Sequence, residues 1–177
     1  RDDRTRGIVK WVFEIIVTLV FAVLVAISAF QTVTLQESAM EPTYSVSEKF
    51  FVNRALYKVS SPKRGDVIAF KTSASDSAAL HIRRVIGLPG ETVQVKDGKI
   101  YINGKVYEEN GAYQDMTDGG LANSAITLES GEYFVLGDNR NNSEDSRFSD
   151  IGNISKKYIV GKVWFTVSPK NKIGFIK

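Results

Sequence analysis

The stretch that decides the fold class is residues 92–107, TVQVKDGKIYINGKVY. It carries two dipeptides typical of tight hairpin turns, Asp97-Gly98 and Asn103-Gly104, between short runs of β-branched and aromatic residues. Such dipeptides accept the positive φ angles of a type I′ turn, whose twist matches that of the flanking strands. The stretch therefore predicts a three-stranded antiparallel meander within a mostly β domain.

Other segments of the chain have the same β-prone composition and are bounded by turn signals. They are residues 49–54, 66–71, 81–86, 132–136 and 158–167. Residues 110–123 are polar and Gly-rich, which predicts a surface loop or insertion. Because no internal repeat or low-complexity tract is present, we expect a single mostly β domain built as a barrel-like or folded sheet.

An apolar segment that precedes the β-rich part predicts a membrane anchor. Residues 15–30, IIVTLVFAVLVAISAF, contain no charge, and the apolar run extends back to Trp11 past Glu14. It approaches the roughly 20 helical residues that span a bilayer. One alternative is a cleavable signal peptide with small residues at 26–28, but the run is longer than a usual signal core. The other, a buried core helix, conflicts with a segment that is apolar all round.

Basic residues before the apolar segment set its expected orientation. They outnumber Asp2 and Asp3, and they are Arg1, Arg4, Arg6 and Lys10. The positive-inside rule places such a terminus in the cytoplasm. We therefore expect residues 1–10 in the cytoplasm, residues 11–30 across the cell membrane and residues 31–177 as an extracytoplasmic domain.

Composition excludes several classes of function. A length of 177 residues allows one globular domain and an appendage. The chain has no Cys and one His, so thiol chemistry is excluded and neither a metal site nor a cofactor is expected. Its 23 basic and 20 acidic residues are interspersed, with no basic stripe among aromatics, so nucleic-acid binding is not expected.

Four motifs follow one another along the chain. They are AMEPT at 39–43, RGDV at 64–67, RRVIGLPGE at 83–91 and GDNRNNSEDSR at 137–147. In this order and spacing the chain resembles the type I bacterial signal peptidases, membrane-anchored serine proteases that remove signal peptides from exported proteins. The resemblance covers essentially the whole chain. It implies a signal-peptidase-type β domain behind one transmembrane helix, with signal peptides and the lipid bilayer as partners.

The resemblance assigns the family's two reacting groups to positions at which this chain carries other residues. The nucleophilic serine precedes the Met of the family's S-M-x-P-T motif, and that position is Ala39. The general-base lysine precedes R-V-I-G-L-P-G, and that position is Arg83. Alanine has no nucleophile, and a guanidinium stays protonated and cannot act as a base. A further departure is Glu37, where relatives often carry glycine or a small polar residue.

The supporting residues that the resemblance implies are intact, and they are Ser143, Asp145, Arg147, Asp138 and Arg140. Ser143 corresponds to a residue that hydrogen-bonds the base, and Asp145 with Arg147 to an ion pair that supports the site. The simpler interpretation is that the four charged residues only hold a turn together. Met40 and Pro42 are expected to line the substrate groove.

Ser38 and His81 form an alternative dyad, similar to the Ser–His arrangement of relatives in the endoplasmic reticulum. On a strand, His81 and Arg83 face the same way. In an extended segment Ser38 faces away from Ala39, so this dyad requires a local bulge. The simpler interpretation is an exposed serine and an ordinary strand histidine.

Two functions follow from the resemblance. The first is action on the signal peptides of exported preproteins at the outer face of the membrane, with cleavage after a small-x-small sequence bound as an extended strand. The second is a non-catalytic relative that binds peptides or assists the assembly of secreted or pilin-like proteins. An engineered Ala39 is a further possibility, although restoring serine would still leave no base at Arg83. An unrelated anchored β domain would require the 137–147 motif to be coincidental.

Overall fold

The computed structural model describes residues 2–176, which begin with one long helix, α1 (Asp2–Ala29). The part of this helix from Arg4 to Ala29 has a mean hydropathy of 2.7 and is exposed all round. An apolar helix of this length that packs on no protein surface is suited to cross a membrane. The helix begins before the expected anchor boundary at residue 11 and ends at Ala29.

The remainder of the described chain is dominated by short antiparallel strands. They are β1 (Phe30–Thr34), β2 (Lys49–Asn53), β3 (Val67–Lys71), β4 (Leu80–Gly87), β5 (Thr92–Lys96), β6 (Lys99–Ile102), β7 (Lys105–Val106), β8 (Ile126–Thr127), β9 (Glu132–Leu136), β10 (Ile154–Ser155), β11 (Ile159–Ser168) and β12 (Gly174–Phe175). A short helix, α2 (Leu56–Val59), follows β2. The predicted mostly β class behind an N-terminal apolar helix is confirmed.

The strands form two sheets. The large sheet has the order β1-β2-β11-β3-β4-β9-β10, with β12 paired to β11, and the small sheet has the order β7-β6-β5-β8. The predicted meander is β5-β6-β7. Its turn residues adopt positive φ angles of 52° at Asp97, 76° at Gly98, 50° at Asn103 and 76° at Gly104. These angles fit type I′ turns and confirm the hairpin prediction.

The five other predicted strand segments are present as β2, β3, β4, β9 and β11. The sequence did not predict β1, β8, β10 or β12. Residues 110–123 are mostly exposed, as predicted for a loop, but Met116 and Ala122 are buried against the small sheet. Their apolar side chains fold back onto β5 and β6 because this removes them from water.

Strand β4 joins the two parts of the core. Ile82 packs in a cluster with Val33, Met40 and other residues of the large sheet. Ile86, further along the same strand, packs with the small sheet beside Val93. The strand that carries residues 81–84 is therefore fixed from both sides.

Candidate active site

The first part of the site is a tight turn between β1 and β2. Residues Ser38–Met40 form one 3-10 turn, in which Ala39 is 4% exposed and Met40 is completely buried. The turn is bound from outside, since the Asn139 backbone N–H donates to the Ala39 carbonyl at 2.9 Å. The side-chain amide of Asn139 also donates to the Ser38 carbonyl at 3.1 Å. The position of Ala39 is thus fixed by the loop at 137–147.

The expected groove residues Met40 and Pro42 lie elsewhere. Met40 faces inward from the 3-10 turn and packs in the core, so it does not line a groove. Pro42 is exposed and lines a different cavity, together with Tyr44 and Arg84.

A glycine allows three segments to meet at the turn. A Cβ atom on Gly137 would lie 2.1 Å from Ser143 Oγ and 2.5 Å from the Ala39 carbonyl oxygen. Real Cβ atoms do not approach other atoms this closely, so no larger residue fits without a backbone shift. Ser143 and Ala39 are therefore neighbours across Gly137.

Arg83 extends from β4 toward the turn and is 1% exposed. Its Nη1 donates to Glu37 Oε2 at 2.6 Å and to the Ile82 carbonyl at 2.7 Å. Its Nε donates to the Glu144 carbonyl at 2.8 Å. The buried guanidinium is held by one carboxylate and two carbonyl oxygens, an arrangement that stabilises its charge.

Glu37 bridges two side chains of β4. Its Oε1 lies 2.8 Å from His81 Nδ1, while Oε2 binds Arg83. Burial acts to raise the pKa of Glu37, but the His81 hydrogen bond and the Arg83 charge outweigh it and lower the pKa to about 2. Because an ionised carboxylate only accepts hydrogen bonds, the His81 proton that faces it is on Nδ1.

Ser38 and His81 do not bind one another in the described part of the chain. The Ser38 hydroxyl accepts a hydrogen bond from Asn142 Nδ2 at 3.3 Å, and His81 is paired with Glu37. Ser38 is half-buried on the 3-10 turn rather than in the extended segment expected from the sequence. His81 does have the carboxylate partner that orients a general base, since Glu37 holds its Nδ1.

Ser143 is near the turn, and its hydroxyl oxygen is buried. Among residues 2–176 it has no hydrogen-bond partner. The Arg83 guanidinium binds the carbonyl of the next residue, Glu144, and not this hydroxyl. A buried hydroxyl without a partner is costly, so Ser143 marks a place where a polar group fits.

The charged residues of the 137–147 loop make separate buried ion pairs. Asp145 binds Arg147 through both oxygens at 2.8 and 2.9 Å, and it also accepts from the Gly137 N–H at 3.0 Å. Asp138 binds Arg84 of β4 at 2.8 and 2.7 Å. The loop is thus attached to β4 as well as closed on itself, which is more than the turn-holding interpretation predicts.

The partners of Arg140 are site residues that the sequence did not reveal. Its guanidinium forms a bidentate pair with Glu109, with one contact at 2.6 Å, and stacks 4.2 Å from the Tyr113 ring centre. Glu109 and Tyr113 lie in a polar segment without a motif, so no local signal identified them. Glu37 did stand out as an unusual residue, but its pairing with His81 and Arg83 was not predicted.

Two cavities lie on either side of Gln36 and Glu37, which line both. One, of about 350 Å³, lies between residues 31–37 and the start of β4, where Leu80 and Ile82 line it. The other, of about 680 Å³, is lined by Ala39, Arg83 and the 137–147 loop. We refer to these two neighbouring cavities together as the groove.

The groove has a free strand edge on each side. In the described sheet, β1 pairs only with β2 and is the first strand of the order. On β4, pairing with β9 begins at Arg84, so Leu80–Ile82 are paired on the β3 side alone. Free edges of this kind can hydrogen-bond an added extended chain. Across residues 2–176, no group of three or more His, Asp or Glu side chains is arranged to hold a metal ion.

Comparisons with known proteins agree with the motifs. The sequence profile of the family described as signal peptidase, peptidase S26, matches residues 8–168. A signal peptidase I of Bacillus licheniformis is 33% identical over 178 residues, which cover 97% of this chain and 94% of that protein. Signal peptidase I T of Bacillus subtilis strain 168 is 33% identical over 177 residues, covering 96% and 90%.

A solved structure is also similar. The crystal structure of a signal peptidase I from Enterococcus faecalis V583 is 34% identical to this chain in the aligned part, with a TM-score of 0.46. The alignment covers 57% of this chain and 95% of the other.

Proposed function

Because the chain belongs to the signal peptidase S26 family, we propose that it binds the signal peptides of exported preproteins at the outer face of the cell membrane and lacks ordinary Ser–Lys hydrolysis. The observation that carries this proposal is the pair of residues at the family's reacting positions. Ala39 has only a methyl group, and Arg83 is bound to Glu37 and the Glu144 carbonyl. The family is one of serine endopeptidases, and its reaction requires a hydroxyl and a proton acceptor at these two places.

The free strand edges support peptide binding. A signal peptide in extended form would lie between residues 31–34 of β1 and residues 80–82 of β4, with its backbone hydrogen-bonded to both. The cavity between these edges shares Gln36 and Glu37 with the cavity that Ala39 and Arg83 line. The alternative function, peptide binding in the assembly of secreted or pilin-like proteins, uses the same groove.

The proposed orientation rests on charge. Four basic residues precede the apolar part of α1, and by the positive-inside rule residues 1–10 would be cytoplasmic. Residues 11–30 would then cross the membrane, and residues 31–177 would lie outside. This side of the membrane is where exported precursors present their signal peptides.

Ser143 supports the family assignment of Arg83. Its buried hydroxyl lacks a partner in the described residues, and a lysine amine at position 83 is the partner that the family arrangement supplies. A lysine is shorter than an arginine and carries its nitrogen at the end of a flexible chain. We therefore assign Ser143 as a positioning residue whose partner is missing in this chain.

A cleavage assay of the full chain in detergent micelles on a purified preprotein tests the loss of hydrolysis. The unaltered chain and Ala39→Ser should leave the preprotein intact. Ala39→Ser with Arg83→Lys should cleave slowly, since the Glu37 carboxylate would raise the pKa of the new lysine and keep it charged. Adding Glu37→Ser should accelerate cleavage by roughly tenfold or more.

The control is the triple variant Ala39→Ser, Glu37→Ser and Arg83→Met. It has the nucleophile but no base, so it should be inactive. If no combination restores cleavage while the fold is intact, the groove has diverged beyond the two reacting positions. Cleavage by the unaltered chain would contradict the proposal directly.

A second candidate function is hydrolysis by Ser38 with His81 as base. The specific observation in its favour is the 2.8 Å contact between His81 Nδ1 and Glu37, which orients the ring as in a Ser–His–acid triad. It predicts cleavage by the unaltered chain that Ser38→Ala and His81→Gln each abolish. Fluorescence anisotropy with a labelled signal peptide measures binding independently of either chemistry, and absence of binding would overturn the peptide-binding function.

A further inference from the structure

A basic cleft lies apart from the peptide groove, between the start of β11, the loop after β3 and helix α2. It is a cavity of about 850 Å³. Its lining has five cations and one carboxylate, and these residues are Arg54, Lys58, Lys71, Lys156, Lys157 and Asp76. The whole chain has a formal net charge of only +3. The cleft lining alone therefore has a formal charge of +4, five cations less one carboxylate.

The cations of the basic cleft are not neutralised by acidic side chains. Lys71 Nζ donates to the Asp76 backbone carbonyl at 3.1 Å, and Lys156 Nζ donates to the Ser60 carbonyl at 2.9 Å. Arg54 and Lys58 are exposed. None of the five forms an ion pair within residues 2–176. Their charges remain available to an external anion.

The position of the basic cleft is fixed relative to the membrane helix. The Arg54 N–H donates to the carbonyl of Ala29, the last residue of α1, at 2.8 Å. In the sheet, Lys162 pairs with Asn53, so the residues before it on β11 extend past the same end of β2. Ile159 pairs with Phe70, which brings the end of β3 there as well. The cleft therefore opens at the end of the sheet where α1 enters.

Exposed aromatic residues lie at the same end. The Phe30 ring stacks on Trp164 at 5.2 Å, and Trp164 contacts Phe175 at 5.2 Å. Trp164 is 37% exposed and Phe175 is 67% exposed, although both are large and apolar. Aromatic side chains that remain exposed beside a membrane helix are typical of the headgroup level of a bilayer. This second observation places the end of the sheet near lipid headgroups.

We propose that the basic cleft binds the phosphate of an anionic phospholipid in the leaflet that the domain faces. Arg and Lys donors bind phosphate oxygens through charge-assisted hydrogen bonds, and each cation adds to attraction by an anionic membrane surface. Tyr57, Ile159 and Val160 give the cleft an apolar part that suits the glycerol backbone and upper acyl chain. The bound lipid would fix the domain at the membrane surface as a second attachment after α1. Inorganic phosphate has the same charge chemistry but no apolar part.

Native mass spectrometry of the full chain, released from detergent micelles, tests the proposal by counting retained lipids. The probe is phosphatidylglycerol, with phosphatidylcholine as the uncharged-headgroup comparison. The test variant is Lys58→Gln with Lys157→Gln, since both lysines are exposed and neither side chain donates a hydrogen bond to a nitrogen or oxygen acceptor within the described chain. The control is Lys96→Gln with Lys105→Gln, which removes the same charge from the exposed surface of the small sheet.

The unaltered chain and the control should retain phosphatidylglycerol in preference to phosphatidylcholine, and the test variant should bind it roughly tenfold more weakly. Equal weakening in the control would overturn the proposal, because general surface charge would then explain retention. A further variant is Arg6→Gln with Lys10→Gln. If this variant loses phosphatidylglycerol while the test variant retains it, the lipid binds at the other end of α1 and the proposal is overturned. Displacement of the lipid by millimolar inorganic phosphate would overturn the proposal, because the cleft would then be a site for free phosphate.

Discussion

The loop at 137–147 and the reacting positions beside it differ in how they hold charge. In the loop, Asp145 and Arg147 are both almost fully buried and satisfy one another through two contacts. Beside the Ala39 turn, Arg83 is equally buried, but among the described residues its one carboxylate partner is Glu37, which is partly exposed and comes from another segment.

This difference concerns how the Arg83 charge is compensated. A buried guanidinium needs an anion or other acceptors beside it, and Arg83 has Glu37 at 2.6 Å together with the Glu144 and Ile82 carbonyls. The same carboxylate also engages His81. The charges around the Ala39 turn are therefore compensated by residues from different segments. The following variants test how much each contact contributes to stability.

Asp145→Asn should have the largest effect on stability. It removes the charge that compensates Arg147 while leaving that guanidinium buried, which costs about 3–5 kcal/mol of unfolding free energy. Urea unfolding of the full chain in detergent micelles, followed by near-ultraviolet circular dichroism, measures the loss. Glu144→Gln is the matched control, since its exposed carboxylate in the same loop has no ion pair among the described residues, and it should change stability by less than about 0.5 kcal/mol. Equal losses in the two variants would show that the buried pair is not what holds the loop.

Gly137→Ala should have the next largest effect. Its Cβ would overlap Ser143 Oγ and the Ala39 carbonyl, so the loop and the turn must separate, at about 1–3 kcal/mol. The control is Gly174→Ala, where an added Cβ meets no atom within 4 Å. The same unfolding measurement should show the loss in the first variant only. A neutral Gly137→Ala would mean that the three segments do not meet as closely as described.

Strand positions were largely predictable because local signals coincide with them. The Asp97-Gly98 and Asn103-Gly104 turns require a backbone conformation that few other dipeptides adopt, and this fixed the meander. Strand β1 was missed because Phe30 continues the apolar run of α1, and its composition gives no sign that the helix has ended. In the structure this strand is at the sheet edge and supplies one wall of the groove.

The sequence predicted which residues lie at the site but not which residues they contact. The motifs identified Ala39, Arg83 and the 137–147 residues, yet the partners come from distant parts of the chain. Glu37 and His81 are 44 residues apart, and Glu109 and Arg140 are 31 apart. These contacts depend on strand register and on how the sheet folds, which no local pattern encodes. For the same reason, Ser38 was expected on an extended segment and lies on a 3-10 turn.

Glu37→Gln should cost less stability than either of the two variants above, because Glu37 is partly exposed and Arg83 keeps two carbonyl acceptors. The loss should be present above pH 4.5 and should disappear as the pH falls toward 2. The pKa of Glu37 is lowered from 4.5 to about 2 in the folded protein, so below 4.5 the unfolded chain binds a proton that the folded chain does not. The contribution of this carboxylate is therefore complete above pH 4.5 and is lost as the pH falls toward 2. Unfolding free energies measured across this interval should decline less steeply in Glu37→Gln than in the unaltered chain, while Glu144→Gln should keep the steeper decline. If Glu37→Gln leaves the acid dependence unchanged, the carboxylate does not hold Arg83 and His81, and the contrast between the two regions loses its physical basis.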